Sequence, residues 1–190
     1  ICVIVGGSTY ATSEMMILGF LRGRLASGKK DFAAVLAPHH IHAHRIEAIV
    51  SLCTAHGLSV ARLSDNTRAP FDVFIIDALG VLPYLYEIAT VAYVGGGFEG
   101  SVHSVIEAAV AGSPIVTGPA ISNSAEATEL KDMGLLQVVE QPDGQAFGAV
   151  VENLCKTRPA VSKKLRTYFR QRVGVSRQIM HTVMDDLYNQ

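Results

Sequence analysis

The residues best suited to chemistry lie in a segment that reads as strand, glycine-rich loop and helix. Val94 ends an apolar run, and the loop 95–100 leads to a helix predicted to begin near His103. Glycines let the main chain adopt left-handed angles and let a ligand approach it. The unpaired N–H groups of the first helical turn form an anion site, most naturally for a phosphate. Glu107 is placed to accept hydrogen bonds from ribose hydroxyls if Ser104 starts the helix. The segment therefore predicts a nucleotide held by phosphate and sugar, although such turns also occur for packing alone.

The glycine loop 95–100 also matches the GxGxxG pattern of dinucleotide-binding proteins. That pattern normally follows the first strand, and an acidic residue should end the next strand. Here the next strand ends in IVTGP (115–119), which has no carboxylate. This absence argues against NAD as a ligand and against NAD-linked redox chemistry.

The composition indicates one globular domain. The 190 residues are 49% apolar, and 16 Lys and Arg nearly balance 17 Asp and Glu. This balance implies no broad basic surface, so we expect no nucleic-acid partner. Three widely spaced cysteines indicate a reducing compartment and small buried side chains. The sequence contains no apolar run long enough to span a bilayer and no signal sequence.

Short apolar runs alternate with helical patterns along the chain. Strands are predicted at 1–5, 32–37, 58–63, 71–76, 91–94, 113–117 and 135–139. Helices are predicted at 13–26, up to 55, at 81–89, from 103, at 124–133 and 145–156, and over the tail 159–188 with a break at Gly174. The alternation predicts an α/β fold with a doubly wound, Rossmann-like parallel sheet. Ligands bind such sheets beyond the carboxyl ends of the strands. The turns there are Gly7 to Thr9, Pro38 to His40, Asp77 to Val81, Gly95 to Ser104 and Gly118 to Ala120.

Several polar residues have two open interpretations. Ser8 and Thr9 offer hydroxyls to a phosphate or sugar, or they cap the turn that Gly6 to Thr9 is predicted to form. Glu14 contacts a ligand or caps a helix, and capping is favoured. Asp77 orients a ligand or caps the helix after it. His103 donates to a phosphate or fills the turn.

The histidine-rich stretch 39–44 also has two interpretations. His40 and His44 have the i,i+4 spacing of helical metal ligands, but no Cys and no HExxH motif accompany them. We therefore predict a solvated helix start, no metal site, and a ligand role for His39, which follows a strand end. Arg45, like Arg62 and Arg68, is predicted to be a surface charge.

Taken together, four segments resemble the 3-deoxy-D-manno-octulosonic acid (Kdo) transferases. They are GGSTYATSE (6–14), APHHIHAHRIE (37–47), IIDALGVLPYLYEIATVAYVGGGFEGSVHSVIEAAVAGSPIVTGP (75–119) and GVSRQIM (174–180). The resemblance covers nearly the whole chain and implies the C-terminal half of a two-domain GT-B glycosyltransferase. The chain also opens on an apolar run without an initiator Met. We therefore expect residues 1–190 to form the donor-binding domain, with an acceptor domain or membrane anchor upstream.

The resemblance implies a set of donor-binding residues for CMP-Kdo. In the family a Pro-Arg or Pro-His step touches the nucleotide, a short loop lines its pocket, and an Asn-x-x-Glu motif binds phosphate and ribose. The matching positions also include the Ser-Thr step, two loop glycines and the histidine before the helix. The full set is Ser8, Thr9, Pro38, His39, Leu79, Gly80, Val81, Gly96, Gly97, His103, Ser104, Val105, Ile106 and Glu107. Ser104 stands where Asn is common, and it can still cap the helix with a shorter reach. His39 stands where many members have Arg, so it lacks the bidentate fork.

The resemblance also implies the reaction. Kdo passes from CMP-Kdo to a lipid A precursor in lipopolysaccharide biosynthesis, with inversion and with no cofactor or metal. The catalytic carboxylate lies in the N-terminal half, so we expect residues 1–190 to bind CMP weakly and to catalyse nothing alone. The full-length protein is expected at a membrane surface, the cytoplasmic face of the inner membrane, and the fragment itself in solution.

Two other classes of function remain open. One is a GT-B glycosyltransferase or 2-epimerase that uses a UDP-sugar, which a preference for UDP over CMP would reveal. The other is a non-catalytic module. It either binds a nucleotide, or serves in protein interaction or regulation and binds no nucleotide.

Overall fold

The chain folds around a single parallel sheet. The computed structural model describes residues 1–67, 69–172 and 180, and these contain seven strands. The strands are β1 (Cys2–Thr9), β2 (Phe32–Pro38), β3 (Val60–Arg62), β4 (Val73–Ile75), β5 (Val91–Val94), β6 (Ile115–Thr117) and β7 (Leu136–Val138). Their spatial order is β3-β4-β2-β1-β5-β6-β7, and every neighbouring pair is parallel. This confirms the predicted doubly wound α/β fold.

Strand β1 is the point where the strand order reverses. It pairs with β2 on one side and with β5 on the other, so that Gly7 lies opposite both Ala37 and Val94. In open parallel sheets this switch point leaves a crevice beyond the carboxyl ends of the strands. The topology therefore brings the turns after β1, β2, β4 and β5 to one edge.

Six helices cover the two faces of the sheet in the described part of the chain. They are α1 (Ala11–Ala26), α2 (Ala43–Ala55), α3 (Leu82–Ile88), α4 (Ile106–Ala111), α5 (Ala125–Asp132) and α6 (Gly144–Arg170). One apolar core joins α1, α2 and the first half of α6 to the sheet, and it includes Ile17, Ile49 and Phe147. A second core on the other face joins α3, α4, α5 and the second half of α6. None of the described helices combines the length and the apolar character needed to cross a bilayer.

Helix α6 corrects the predicted end of a helix at Lys156. The helix runs without a break from Gly144 to Arg170, with Pro159 inside it. Proline removes one backbone hydrogen bond from a helix interior. The helix nevertheless continues because Leu154 packs into the first core and Leu165 into the second. Burial on both sides of Pro159 outweighs the local cost. The predicted break at Gly174 lies outside the described residues.

Strand β1 corrects the predicted turn at Gly6 to Thr9. Both glycines pair in register with β2 and with β5, and a bulge follows between Gly7 and Thr9. Ser8 lies in the bulge with φ +51°, in the left-handed region. A Cβ on Gly7 would lie 2.0 Å from the Tyr86 hydroxyl, so glycine is what lets α3 pack against the strand here. The predicted turn is therefore the last part of the strand.

Folding brings two distant cysteines together. Cys2 at the start of β1 and Cys155 in α6 are free thiols. Burial raises the pKa of Cys155 to about 12, and a side-chain hydrogen bond with Cys2 contributes. The Cys155 thiol therefore keeps its proton at neutral pH. The third cysteine, Cys53, is fully buried, which matches the expected role of a small core side chain.

Candidate nucleotide-binding site

A cavity of about 460 Å³ lies at the carboxyl edge of the sheet, at the switch point beside β1. This volume falls in the usual range for small-molecule sites. Nine of the residues predicted from the sequence line it, at or after the ends of four strands: Ser8, Pro38, His39, Leu79, Gly80, Val81, His103, Ser104 and Glu107. The predicted convergence of these turns is therefore present in the fold, and His39 and Glu107 share one cavity.

The other predicted positions lie behind the cavity wall or beside it. Thr9 is 1% exposed and donates its hydroxyl to Glu14 rather than to the cavity. Val105 is 1% exposed and belongs to the second core. Gly96, Gly97 and Ile106 are also absent from the lining. Val105 therefore supports the site through the core, whereas Ile106 is 39% exposed on α4.

The glycines of the loop serve close packing between backbone segments. A Cβ on Gly95 would lie 1.9 Å from the Ser8 carbonyl oxygen. A Cβ on Gly97 would lie 2.7 Å from the Gly118 amide nitrogen, after β6. Gly96 has φ +89°, which a residue with a side chain rarely adopts. The loop is therefore held against the ends of β1 and β6, and this is the packing role that the sequence left open.

Helix α4 begins later than predicted. Its first residue is Ile106, its N-cap is Val105, and it has six residues in all. Ser104 precedes the N-cap, so its predicted capping role is wrong, and its exposed side chain lines the cavity instead. Val105 is buried in the second core, which fixes the backbone that leads into the helix. Glu107 stays in the first turn, as predicted, and faces the cavity.

Four aromatic rings cluster at the rim of the cavity. The rings of Tyr10, His39 and His103 are stacked, with centroids 5.0 Å apart for Tyr10 and His39 and 4.7 Å apart for the two imidazoles. His40 meets the His39 ring edge-on at 4.6 Å. The Tyr10 hydroxyl lies 3.0 Å from Nε2 of His103. Sequence reasoning missed Tyr10, and its position directly after the Ser-Thr step was the available signal.

The electrostatics of the cavity depend on imidazoles. None of its lining residues in the described chain is Lys or Arg. Burial lowers the pKa of His103, the His39 imidazole lowers it further, and Glu99 opposes both effects. His103 is therefore largely neutral at pH 7, and the Tyr10 hydroxyl can donate to Nε2 while Nδ1 carries the proton. The cavity can receive an anion through imidazole N–H groups, hydroxyls and first-turn amides.

Apolar residues that the sequence analysis did not single out form the rest of the wall. They include Ile41, Ile76, Leu82, Tyr86 and Val94. A wall of this kind accommodates the flat face of a nucleobase, while the polar groups fix the phosphate and sugar. The signal for Ile76 and Val94 was their position at the ends of β4 and β5.

A buried ion pair stands directly behind the site. The Glu14 side chain is 0% exposed, and one of its oxygens accepts a hydrogen bond from the Thr9 hydroxyl at 2.8 Å. Its other oxygen pairs with Arg45, whose side chain is 19% exposed. Arg45 is therefore a positioning residue that links α2 to α1, and its predicted role as a surface charge is wrong. Arg62, at the surface, pairs with Glu47 and Asp65 as expected of a surface charge.

The remaining candidates do not join the cavity. Asp77 accepts hydrogen bonds from the amide and hydroxyl of Ser64, and it neither lines the cavity nor caps α3. His40 lies before α2, whose first residue is Ala43 and whose N-cap is His42, so the helical i,i+4 pairing with His44 does not form. Across the described residues, no group of three or more His, Cys, Asp and Glu side chains is arranged to hold a metal.

Comparison with known proteins decides the relationship of the chain. A 3-deoxy-D-manno-octulosonic acid transferase of Rickettsia prowazekii is 28% identical over 171 residues, which is 87% of this chain and 35% of that protein. The chain is a relative of the Kdo transferases. The curated Kdo transferases are longer, and this chain spans between 26% and 39% of the lengths of the rickettsial ones. No protein-family model matches the chain.

Solved structures confirm the fold that the resemblance to Kdo transferases predicted. The C-terminal CMP-Kdo binding domain of WaaA from Acinetobacter baumannii has a TM-score of 0.73 at 24% identity, covering 87% of this chain and 86% of that one. Anabaena Alr3699/HepE, solved in complex with UDP-glucose, has a TM-score of 0.64 at 16% identity, covering 96% of this chain and 48% of that one. The chain thus has the Rossmann-like fold of one half of the GT-B architecture.

Proposed function

We propose that residues 1–190 form the donor-binding domain of a Kdo transferase, an enzyme that transfers Kdo from CMP-Kdo to a lipid A precursor in lipopolysaccharide biosynthesis. The observation that carries this proposal is the cavity at the switch point, where His39, His103, Ser104 and Glu107 meet in a relative of the Kdo transferases. The acceptor domain, with any membrane anchor, belongs to a part of the enzyme outside these residues.

In the proposed complex, each group of the donor meets a matching part of the cavity. The phosphate lies against His39, His103, the Ser104 hydroxyl and the first-turn amides of α4. The ribose hydroxyls donate to the Glu107 carboxylate. The cytosine lies near the loop formed by Leu79, Gly80 and Val81, at the apolar wall. These placements follow from the chemistry of the lining residues.

The proposed reaction exchanges one bond at the anomeric carbon of Kdo. The bond from this carbon to the CMP phosphate oxygen breaks, and a bond to the acceptor oxygen forms with inversion. CMP leaves with the bonding electron pair, and His39 and His103 donate hydrogen bonds to the phosphate as its charge grows. The acceptor proton passes to a carboxylate outside residues 1–190. The full-length enzyme works at the cytoplasmic face of the inner membrane, where its lipid acceptor is found.

The test is a CMP titration of the 190-residue chain by calorimetry or NMR. We expect millimolar-range binding, since half of the site is missing. Glu107→Gln weakens it about fivefold by removing a charged hydrogen-bond acceptor. Glu87→Gln, at an exposed position of α3 outside the cavity lining, leaves it unchanged. Unchanged Gly95 to Glu107 resonances at saturating CMP would reject a nucleotide site.

A substitution that should improve binding tests the same site from the opposite direction. His39→Arg introduces the bidentate phosphate donor that the imidazole lacks, so CMP binding should tighten several-fold. His40→Arg adds the same group one residue away, outside the cavity lining, and should have little effect. Equal effects of the two variants would count against a phosphate next to His39.

The likeness to Anabaena HepE with UDP-glucose supports one alternative, a GT-B enzyme that uses a UDP-sugar. UDP carries a second phosphate, which needs further donors, and the described lining offers no Lys or Arg for it. Parallel titrations with UDP and CMP separate the two candidates, and tighter UDP binding would select the alternative.

A further inference from the structure

The second half of helix α6 carries a concentrated positive charge. Seven of the 16 Lys and Arg residues of the chain fall between Lys156 and Arg172, a stretch without Asp or Glu. Arg158, Lys163, Arg166 and Arg170 surround a surface concavity of about 530 Å³. Among the described residues, none of these four cations forms an ion pair. Their charge is therefore available to an anionic partner.

Exposed apolar side chains lie on the two helices next to this cluster. Tyr84 and Ile88 stand one turn apart on α3 and are 71% and 59% exposed. Ile106 and Val110 stand one turn apart on α4 and are 39% and 56% exposed. These side chains leave a large part of their apolar surface outside the core. The pairs therefore form two short apolar ridges on one side of the domain.

Two contacts join the apolar helices to the basic cluster. The Arg158 guanidinium donates to the carbonyl of Ala89, at the end of α3, at 3.1 Å. The Arg166 side chain lies over Gly112, at the end of α4, with Nε 2.9 Å from where a Cβ would stand. The cations thus border the apolar ridges directly. We call the surface formed by α3, α4 and residues 158–170 the α3–α4–α6 face.

We infer that the α3–α4–α6 face is a docking surface for an anionic phospholipid bilayer. Interfacial binding requires apolar side chains that enter the headgroup region together with Lys and Arg that attract anionic lipids. A nucleic-acid site would use the cations but would gain little from aliphatic ridges such as Ile88 and Val110. The inference deepens the proposed function, on which it rests for the presence of a membrane. Its chemistry comes from the described residues alone.

Electrostatics from the neighbouring helices modulate the face. Glu87 is exposed on α3, and Glu107 points into the donor cavity at the start of α4. Glu129 is already paired with Arg172. The cations of residues 158–170 therefore outnumber the free carboxylates on this side. The cavity rim at Leu79, which is 80% exposed, lies just before α3 in the chain, so docking would hold the donor site close to the lipid headgroups.

Vesicle sedimentation of the 190-residue chain tests the charged part of the face. We expect binding to phosphatidylcholine vesicles that contain phosphatidylglycerol, release by salt, and no binding to phosphatidylcholine alone. A basic residue near an anionic surface contributes about 1 kcal/mol, or about fivefold in affinity. Lys163→Glu with Arg170→Glu should therefore weaken binding about 25-fold or more. The control variant combines Lys29→Glu and Lys30→Glu, at exposed positions after α1. It changes the net charge by the same amount and should not weaken vesicle binding.

Matched substitutions test the apolar part. Tyr84→Ser with Ile88→Ser should weaken vesicle binding about tenfold by removing side chains that enter the headgroup region. Met15→Ser, at a position on α1 where the side chain is 58% exposed, should leave it unchanged. The milder pair Lys163→Gln and Arg170→Gln, checked by circular dichroism, separates lost binding from lost folding.

Several results would overturn the inference. They are failure of the unmodified chain to bind the mixed vesicles at low salt, equal effects of the α6 and control substitutions, or tighter binding to a single-stranded oligonucleotide than to vesicles. CMP titration of the α6 variants separates this inference from the proposed function. If the unmodified chain binds vesicles but does not bind CMP, the nucleotide site is rejected and the inference about the α3–α4–α6 face is retained.

Discussion

The buried pair of Glu14 and Arg45 yields a prediction whose size follows from the structure. Arg45→Met removes the guanidinium and leaves a carboxylate that is 0% exposed with the Thr9 hydroxyl as its remaining side-chain partner. Breaking a buried pair by deleting one partner costs about 3–5 kcal/mol. Because the Arg45 side chain is itself 19% exposed, water can reach part of the gap. We therefore expect a loss of about 3 kcal/mol in the free energy of unfolding.

A double-mutant cycle, measured by urea unfolding, isolates the interaction. Glu14→Gln removes the charge but keeps the shape, and it costs about 1.5–3 kcal/mol because an amide then faces the guanidinium. The double variant buries no charge, so its loss should be smaller than the sum of the single losses by about 1–3 kcal/mol. Arg62→Met, at a surface pair with Glu47, is the control and should cost under about 1 kcal/mol.

Two outcomes would refute this reasoning. One is an Arg45→Met loss no greater than that of Arg62→Met, and the other is strict additivity in the cycle. Either would mean that Glu14 reaches water or another partner when Arg45 is removed. The pair would then not be what fixes α2 against α1.

Three further predictions concern the His103 imidazole and the glycines. Burial lowers the pKa of His103 below its ordinary value, so acidification from pH 8 through 6 charges the imidazole progressively and should tighten CMP binding. His103→Asn should flatten this dependence of CMP binding on pH. Because the pKa of His103 is lower in the folded chain than in the unfolded chain, the unfolded chain is protonated at a higher pH. The free energy of unfolding without ligand should therefore fall as the pH drops below about 6.5, and thermal unfolding measures this. Gly95→Ala should lower the free energy of unfolding by about 3 kcal/mol or more, because its Cβ would lie 1.9 Å from the Ser8 carbonyl oxygen. Gly19→Ala, in α1, has no atom within 4 Å of its Cβ, so the same melts should show a gain of about 0.5–1 kcal/mol.

The architecture could be predicted because the signals for the strands are local. β5 runs from Val91 to Val94, as predicted, and its four residues are all buried. Short runs of this kind, separated by helical patterns, allow few topologies other than a parallel sheet. Once the topology is fixed, the strand ends meet at one edge. This is why His39 and Glu107, 68 positions apart in the sequence, could be placed in one cavity.

The errors share one physical cause, which is that tertiary contacts override local signals. Gly6 and Gly7 have the composition of a turn, but pairing with strands on both sides keeps them extended. Pro159 has the composition of a helix end, but two cores hold the helix together. Arg45 looks like any surface arginine until α1 brings Glu14 to it. None of these partners is near in sequence, so local patterns contain no record of them.

Net charge concealed the distribution of cations for a different reason, because a whole-chain sum does not show local clusters. The overall balance of 16 basic and 17 acidic residues predicted no basic surface, yet seven cations fall between Lys156 and Arg172, and none of the described residues that line the donor cavity is Lys or Arg. If the α3–α4–α6 face meets an anionic bilayer, this segregation has a use. A strongly cationic cavity beside the membrane would be occupied by lipid phosphates, whereas neutral imidazoles and amides discriminate by geometry. Vesicle binding should therefore fall steeply with added salt, while CMP binding to the cavity should change little.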